Sequence, residues 1–129
     1  MTRYTLYINT ASFDEIIIAI FASDKKIIQK KFKAAKSQAE KLLPAIDKLL
    51  KLKKINLSQL QKIVVVNSGG SFTSLRIGVV TANTLGYALN IPVESEAEIK
   101  TVKKFSNYSI VEPIYNAEPN IGKAKPLVY

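Results

Sequence analysis

Hydrophobic and polar positions change period along the chain, and each change marks a new kind of element. Residues 5–9 alternate as a short strand does, and Thr10-Ala11-Ser12 reads as a turn. Residues 14–22 are rich in isoleucine, whose branched Cβ suits a buried pleated surface, so this stretch predicts a central strand. Ser23-Asp24-Lys25 is a hairpin-type turn. Residues 26–32 alternate weakly and end in lysines, as an edge strand does to discourage pairing with other chains. The first third therefore predicts a three-stranded antiparallel meander.

The period then becomes helical. Ala35, Ala39, Leu42, Ile46 and Leu49 recur at spacings of four and three, with Leu43 and Leu50 beside them, which predicts an amphipathic helix over 34–52. Pro44 lies inside it and removes a backbone donor, so a kink or a helix start near Leu43 is expected. Ser58-Gln59-Leu60 marks a turn. Residues 62–66 (KIVVV) form a near-continuous apolar run, the pattern of a strand covered on both faces. The loop Asn67-Ser68-Gly69-Gly70-Ser71 leads into a second helix over 72–89, with Ser71 or Thr73 as its cap. Ile91-Pro92-Val93 reads as a short strand. Residues 94–104 read as a third helix with Ser95 as cap and glutamates at its positive end. Residues 109–129 hold Pro113, Pro119 and Pro126 and are expected to be extended or irregular.

The order βββαβαβα is that of an α/β fold, a single RNase H-like lobe, the half-module of actin-like ATPases (ASKHA fold). It implies a mixed five-stranded sheet with helices on its faces. A length of 129 residues suits one domain. There is no cysteine and no histidine. That excludes a disulfide scaffold, thiolate or imidazole metal ligands, a cysteine nucleophile and the serine–histidine triad. The longest apolar run, 16–22, is far short of the ~20 residues of a membrane span. No apolar leader precedes the first strand, so a cytoplasmic protein is expected. The net charge of +9 is concentrated: residues 25–54 carry eleven lysines against Glu40 and Asp47, and 11 − 2 = 9. Such a stretch is either a solvated face or a surface that steers towards RNA, acidic lipid or an acidic protein.

Few residues offer chemistry. Asn9, Thr10, Gly69 and Gly70 form a candidate phosphate loop, because glycines before a helix N-terminus let backbone amides face an anion. The lysine of a P-loop is missing. Asp14 and Glu15 are adjacent and on a strand point to opposite faces, so they do not pair as acid and base. Glu94, Glu96 and Glu98 read as a solvated helix start. Gly78, Ala82 and Gly86 make a smooth helical stripe on which another backbone can approach, either the domain's own sheet or a helix of another subunit.

Residues 66–83, VNSGGSFTSLRIGVVTAN, resemble the hallmark run of the TsaB family, also called YeaZ, which reads G-x-G-P-G-S-F-T-G-L-R-I-G. Tyr7-Ile8-Asn9-Thr10-Ala11-Ser12 resembles the family's opening A-I-D-T-S-T. Leu42-Leu43-Pro44-Ala45-Ile46 resembles the L-L-P-x-I of its first helix. Asn9 stands where the family has aspartate, Ser68-Gly69-Gly70 replaces G-P-G, and Asn83 replaces a lysine. The resemblance covers residues 4 to about 100. Residues 111–119 then resemble the family's closing strand, so a member shortened to one lobe (1–108) with an extended tail (109–129) is expected.

The resemblance implies a non-catalytic partner of TsaD, the subunit that places a threonylcarbamoyl group on adenosine 37 of tRNA. It implies binding through the two helices, with Ala35, Ala39, Leu42, Ile46 and Leu49 on the first and Leu75, Gly78, Ala82 and Gly86 on the second. A TsaE-like ATPase is a further implied partner, tRNA is reached through the complex, and without TsaD the same surface can pair with itself. No cofactor and no metal are expected on this chain. The alternative is a nucleotide-binding fragment or small enzyme of the actin-like ATPase superfamily.

Overall fold

The computed structural model describes residues 2–96, 103–105 and 108–110. Three strands open the chain: β1 (Tyr4–Asn9), β2 (Glu15–Ala22) and β3 (Lys25–Lys33). They form the expected antiparallel meander, with Ile8 opposite Ile18 and Ile20 opposite Ile28. Helix α1 (Gln38–Leu52) and a 3-10 turn (Leu57–Gln59) carry the chain back to β4 (Leu60–Val65), which pairs with β1 in parallel. Helix α2 (Phe72–Leu89) makes the second crossover, to β5 (Val93–Ser95), parallel to β4. Parallel neighbours need such crossovers, because a tight turn cannot reverse the chain twice. The mixed sheet has five strands in the order β3-β2-β1-β4-β5, so β1 rather than β2 takes the centre. A separate antiparallel ribbon joins β6 (Lys103–Phe105) to β7 (Tyr108–Ile110).

One face of the sheet supplies the core. Leu6, Ile8, Ile16, Ile18, Ile20, Ile63 and Val65 alternate inwards along three strands and are fully buried. Leu42, Ile46 and Leu49 of α1 and Leu75, Val79 and Ala82 of α2 close over them. The opposite face keeps Tyr7, Ile17, Phe21 and Val64 only half-buried, with no described helix over it. The expectation that β4 is covered on both faces is therefore corrected: Ile63 and Val65 are buried, while Lys62 and Val64 stay partly exposed.

Three element boundaries also differ. Helix α1 begins at Gln38, not at residue 34, because Lys36 takes a left-handed φ of 62° and breaks the helical path. The Ala34 amide instead bonds to the Asp14 carbonyl at 2.8 Å. Pro44 lies inside α1, and no helix starts near Leu43. The third helix over 94–104 is not formed at either end, since Val93–Ser95 and Lys103–Phe105 are strands. Residues 97–102 and 111–129, with Glu98 and most of the expected tail, lie outside the described residues. Among the described residues, no helix is long and apolar enough to cross a membrane.

Candidate functional site

Asn9 closes β1 and folds the chain back on itself. Its Oδ1 accepts from the Ala11 amide at 2.9 Å, and its Nδ2 donates to the Tyr7 hydroxyl at 3.3 Å. Thr10 follows, fully buried, and its hydroxyl donates to the Ser74 carbonyl in the first turn of α2. The Ser71 amide donates to the Ala11 carbonyl at 2.9 Å. Gly69 has a φ of 84°, a conformation glycine adopts without strain. Gly70 lies so close to Ala11 that an added Cβ would stand 2.7 Å from the alanine Cβ. Asn9, Thr10, Gly69 and Gly70 are thus brought together, at the junction of β1 with the start of α2.

The junction is closed by its own bonds. Ser71 caps α2: its Oγ accepts from the Ser74 amide at 3.3 Å, and its carbonyl from the Leu75 amide at 2.9 Å. The amides of Ser71 and Ser74, two of those that open this helix end, are therefore engaged within the protein. An open cleft of about 290 Å³ lies beside the loop, walled by Asn9, Ala11, Ser12, Glu15, Ile17 and Gly69. Glu15 is on that wall, and its carboxylate pairs with Lys31 at 3.9 Å and Lys33 at 3.7 Å.

The residue that ties the junction to α1 is Gln38, which the periodicity reading passed over. It is 4% exposed. Its Nε2 donates to the Ser12 carbonyl at 2.7 Å and the Glu15 carbonyl at 2.9 Å, and its Oε1 accepts from the Ser74 hydroxyl at 2.8 Å. One amide thus holds the β1–β2 turn, α1 and α2 together. A signal was present: Gln38 precedes Leu42 and Ile46 by one and two steps of four on the apolar stripe. A polar group at such a position is retained where buried partners need it.

The two helical seams point inwards. Leu42, Ile46, Leu49, Leu75 and Ala82 are at most 2% exposed, and Gly78 and Gly86 are buried with them. A Cβ at Gly78 would stand 2.5 Å from the Thr10 hydroxyl oxygen, and one at Gly86 would overlap Val93. The smooth stripe is therefore where α2 meets its own sheet, which removes it from the surface a partner can reach in this chain. Ala35 and Ala39 are exposed, Ala35 in the turn before α1. The outward side of the helix pair is a shallow surface of Ala39, Thr73, Arg76, Ile77, Val80 and Thr81. Leu43 and Phe72, each half exposed, belong to the same two helices.

Of the described acidic residues, Asp14, Glu15, Glu94 and Glu96 pair with lysines and hydroxyls. Asp14 precedes β2 instead of lying in it, so it shares Lys33 with Glu15, at 3.5 and 3.7 Å, and the expected opposition of the two is corrected. The Ser12 hydroxyl, donating at 2.8 Å, is the main cause holding the Asp14 carboxyl below its ordinary range. Glu94 pairs with Lys62 at 3.2 Å across β4 and β5. Glu96 accepts from the Tyr7 hydroxyl at 3.2 Å, and burial, then the Glu96 charge, pushes that phenol up. Ser95 is no helix cap: it is buried, and its hydroxyl donates to Asn67 Oδ1 at 2.6 Å. Among the described residues no cluster of acidic side chains is placed to hold a metal.

Comparison with known proteins agrees with this geometry. The family model described as TsaD: tRNA N6-adenosine threonylcarbamoyltransferase matches residues 15–99. The tRNA threonylcarbamoyladenosine biosynthesis protein TsaB of Bacillus subtilis (strain 168) is 30% identical over 114 residues, covering 87% of this chain and 49% of that protein. An uncharacterized protein of Mycobacterium leprae is 34% identical over 68 residues, 53% of this chain and 19% of its own. Among solved structures, YeaZ from Pseudomonas aeruginosa superposes with a TM-score of 0.66 at 24% identity, over 72% of this chain and 43% of that one. The chain thus spans about half the length, or less, of these relatives. The matched family model runs from β2 through both crossovers, and the SFTSLRIG segment that starts α2 is the part of the chain that closes on Thr10; this chain belongs to the TsaD threonylcarbamoyltransferase family, as a member of its TsaB/YeaZ group.

Proposed function

We propose that this chain is a non-catalytic subunit that binds a TsaD-like protein and supports threonylcarbamoylation of adenosine 37 in tRNA. The observation that carries the reading is the outward surface of the helix pair, built from Ala39, Thr73, Ile77 and Val80, in a chain of this family. Small and apolar side chains on two adjacent helices suit close packing against further helices. The surface lies opposite the face that packs on the sheet, so both can be occupied together. A TsaE-like ATPase joins the same assembly in the cytoplasm, and tRNA reaches it through the TsaD-like subunit. Without that subunit, the same surface pairs with itself about a two-fold axis.

The alternative, a nucleotide-binding fragment or small enzyme, finds less support. Asn9 brings no charge for a metal, and its side chain is engaged with the Ala11 amide and the Tyr7 hydroxyl. The test is co-purification with the TsaD-like protein of the same organism. Ala39→Arg with Thr73→Arg adds bulk and charge at two exposed helical positions. The double variant is expected to keep its circular dichroism spectrum and to lose the complex in size-exclusion chromatography. The unaltered chain alone is expected to turn over no ATP. Co-elution of the folded double variant at parental affinity, or ATP turnover by the isolated chain, sinks the reading.

A further inference from the structure

The flank of α1 that faces β3, away from α2, carries a groove of about 390 Å³. Its floor is apolar: Phe32 from β3, and Pro44, Ala45, Leu49 and Leu52 from α1. Leu52 is 63% exposed there, an apolar side chain left without cover. The rim is basic, with Lys30, Lys41 and Lys48 against Glu40 alone. Those three lysines make no ion pair among the described residues, whereas Lys51 has Asp47 and Lys33 has Asp14 and Glu15. Pro44 supplies no amide to the Glu40 carbonyl one turn before it.

The groove is bounded by a sheet edge. β3 is the last strand on its side, so its outer backbone groups have no partner strand among the described residues. Its side chains divide by register. Lys30 and Phe32 lie opposite the buried Ile18 and Ile16 and so belong to the helix-covered face. Lys31 and Lys33 lie opposite Ile17 and Glu15, on the open face. We propose that β3 and this groove take up, as an added strand, a segment of another protein whose groove-facing positions are apolar at the centre and acidic on either side. Its apolar side chains enter the floor against Phe32, Leu49 and Leu52. Carboxylates two residues away on either side, which lie on the same face of that strand, meet Lys30, Lys41 and Lys48 of the rim.

Charge decides the occupant. A second copy is disfavoured, because pairing two β3 edges sets lysines against lysines. A polynucleotide could satisfy the lysines but would leave the aliphatic floor in water, and Phe32 is the floor's one ring, too few for successive bases to stack. Strand addition uses the main chain for affinity and alternate side chains for selection, which is what this edge and groove offer.

The experiment is fluorescence anisotropy of the full chain with a fluorescein-labelled peptide whose groove-facing positions run glutamate, valine, glutamate, with threonine between them, long enough for a strand of about six residues. The peptide is expected to bind, and its lysine–valine counterpart is not. Lys30→Glu with Lys41→Glu and Lys48→Glu, all outside the core, should leave the circular dichroism spectrum unchanged and weaken binding about tenfold or more, with less dependence on salt. N-methylation of alternate peptide amides should abolish binding in one phase and spare it in the other, because only every second amide faces β3. Absence of binding to the parent overturns the proposal. So does equal binding by the charge-reversed chain, equal loss in both N-methylated phases, or displacement of the peptide by a tighter-binding oligouridine. The TsaD-facing surface is not involved, so loss of the one interaction is read independently of the other.

Discussion

Replacing Ala82 by arginine is expected to unfold the chain. Ala82 is fully buried in the stripe where α2 lies on the sheet. An arginine there has no space for its side chain and no partner for its charge. Core overpacking and an unpaired buried charge together place the loss above about 4 kcal/mol, a large part of the roughly 5–15 kcal/mol that holds a typical domain folded. The expected result is a soluble-expression failure or a flat thermal melt followed by circular dichroism. Val80→Arg, on the outward side of the same helix, serves as the control and should melt close to the parent. A folded Ala82→Arg variant that has lost only its partner would show that the stripe is an interface after all.

The second large effect is expected at Gln38. Its substitution by alanine removes three hydrogen bonds and leaves the carbonyls of Ser12 and Glu15 and the Ser74 hydroxyl without this partner. Orphaning buried polar groups costs about 1–3 kcal/mol each where water cannot replace the partner. The two carbonyls lie nearer the surface than Ser74, so a total of about 2–4 kcal/mol is expected from urea denaturation. Gln38→Glu should also destabilise, since an ionised carboxylate has no proton to donate to the two carbonyls. A loss below about 0.5 kcal/mol for Gln38→Ala would mean that solvent closes the junction as well as glutamine does.

Alternation and helical spacing located β1 to β4 and both described helices, because β1, β2, β4 and the helices each bury one face, while β3 shows the weak alternation and lysines of an edge. Ile16, Ile18 and Ile20 alternate inwards, and Leu42, Ile46 and Leu49 follow the helical period onto the same core. The glycine–alanine stripe was legible as a place of close approach. What approaches it was not, because Thr10 is remote in sequence from Gly78, and Val93, though near Gly86 in the chain, reaches it only once β5 has joined the sheet. The segment from Glu94 misled for a related reason. A serine among glutamates reads as a helix start, but Ser95 is bound to Asn67, and Val93 is buried beside β4. Tertiary pairing overrode a local signal. At the candidate phosphate loop, the sequence supplied glycines before a helix, and the unforeseen contact was the Ala11 carbonyl that takes up the Ser71 amide.

The position of β1 at the middle of the sheet has a kinetic consequence. Its antiparallel edge is completed by β2, which follows within a few residues, so the meander can form from local contacts on the microsecond scale of hairpins. Its parallel edge waits for β4, with Tyr4 opposite Leu60, after α1 has been made and a long loop closed. Closure of that loop is the entropically unfavourable event and is expected to slow folding relative to the meander. Until then the β4-facing edge of β1 is bare, and it carries Leu6 and Ile8 from the future core. A nascent chain released with the meander formed and β4 undocked exposes an apolar template for other chains. Refolding yield is therefore governed by concentration during that interval rather than by the stability of the finished domain.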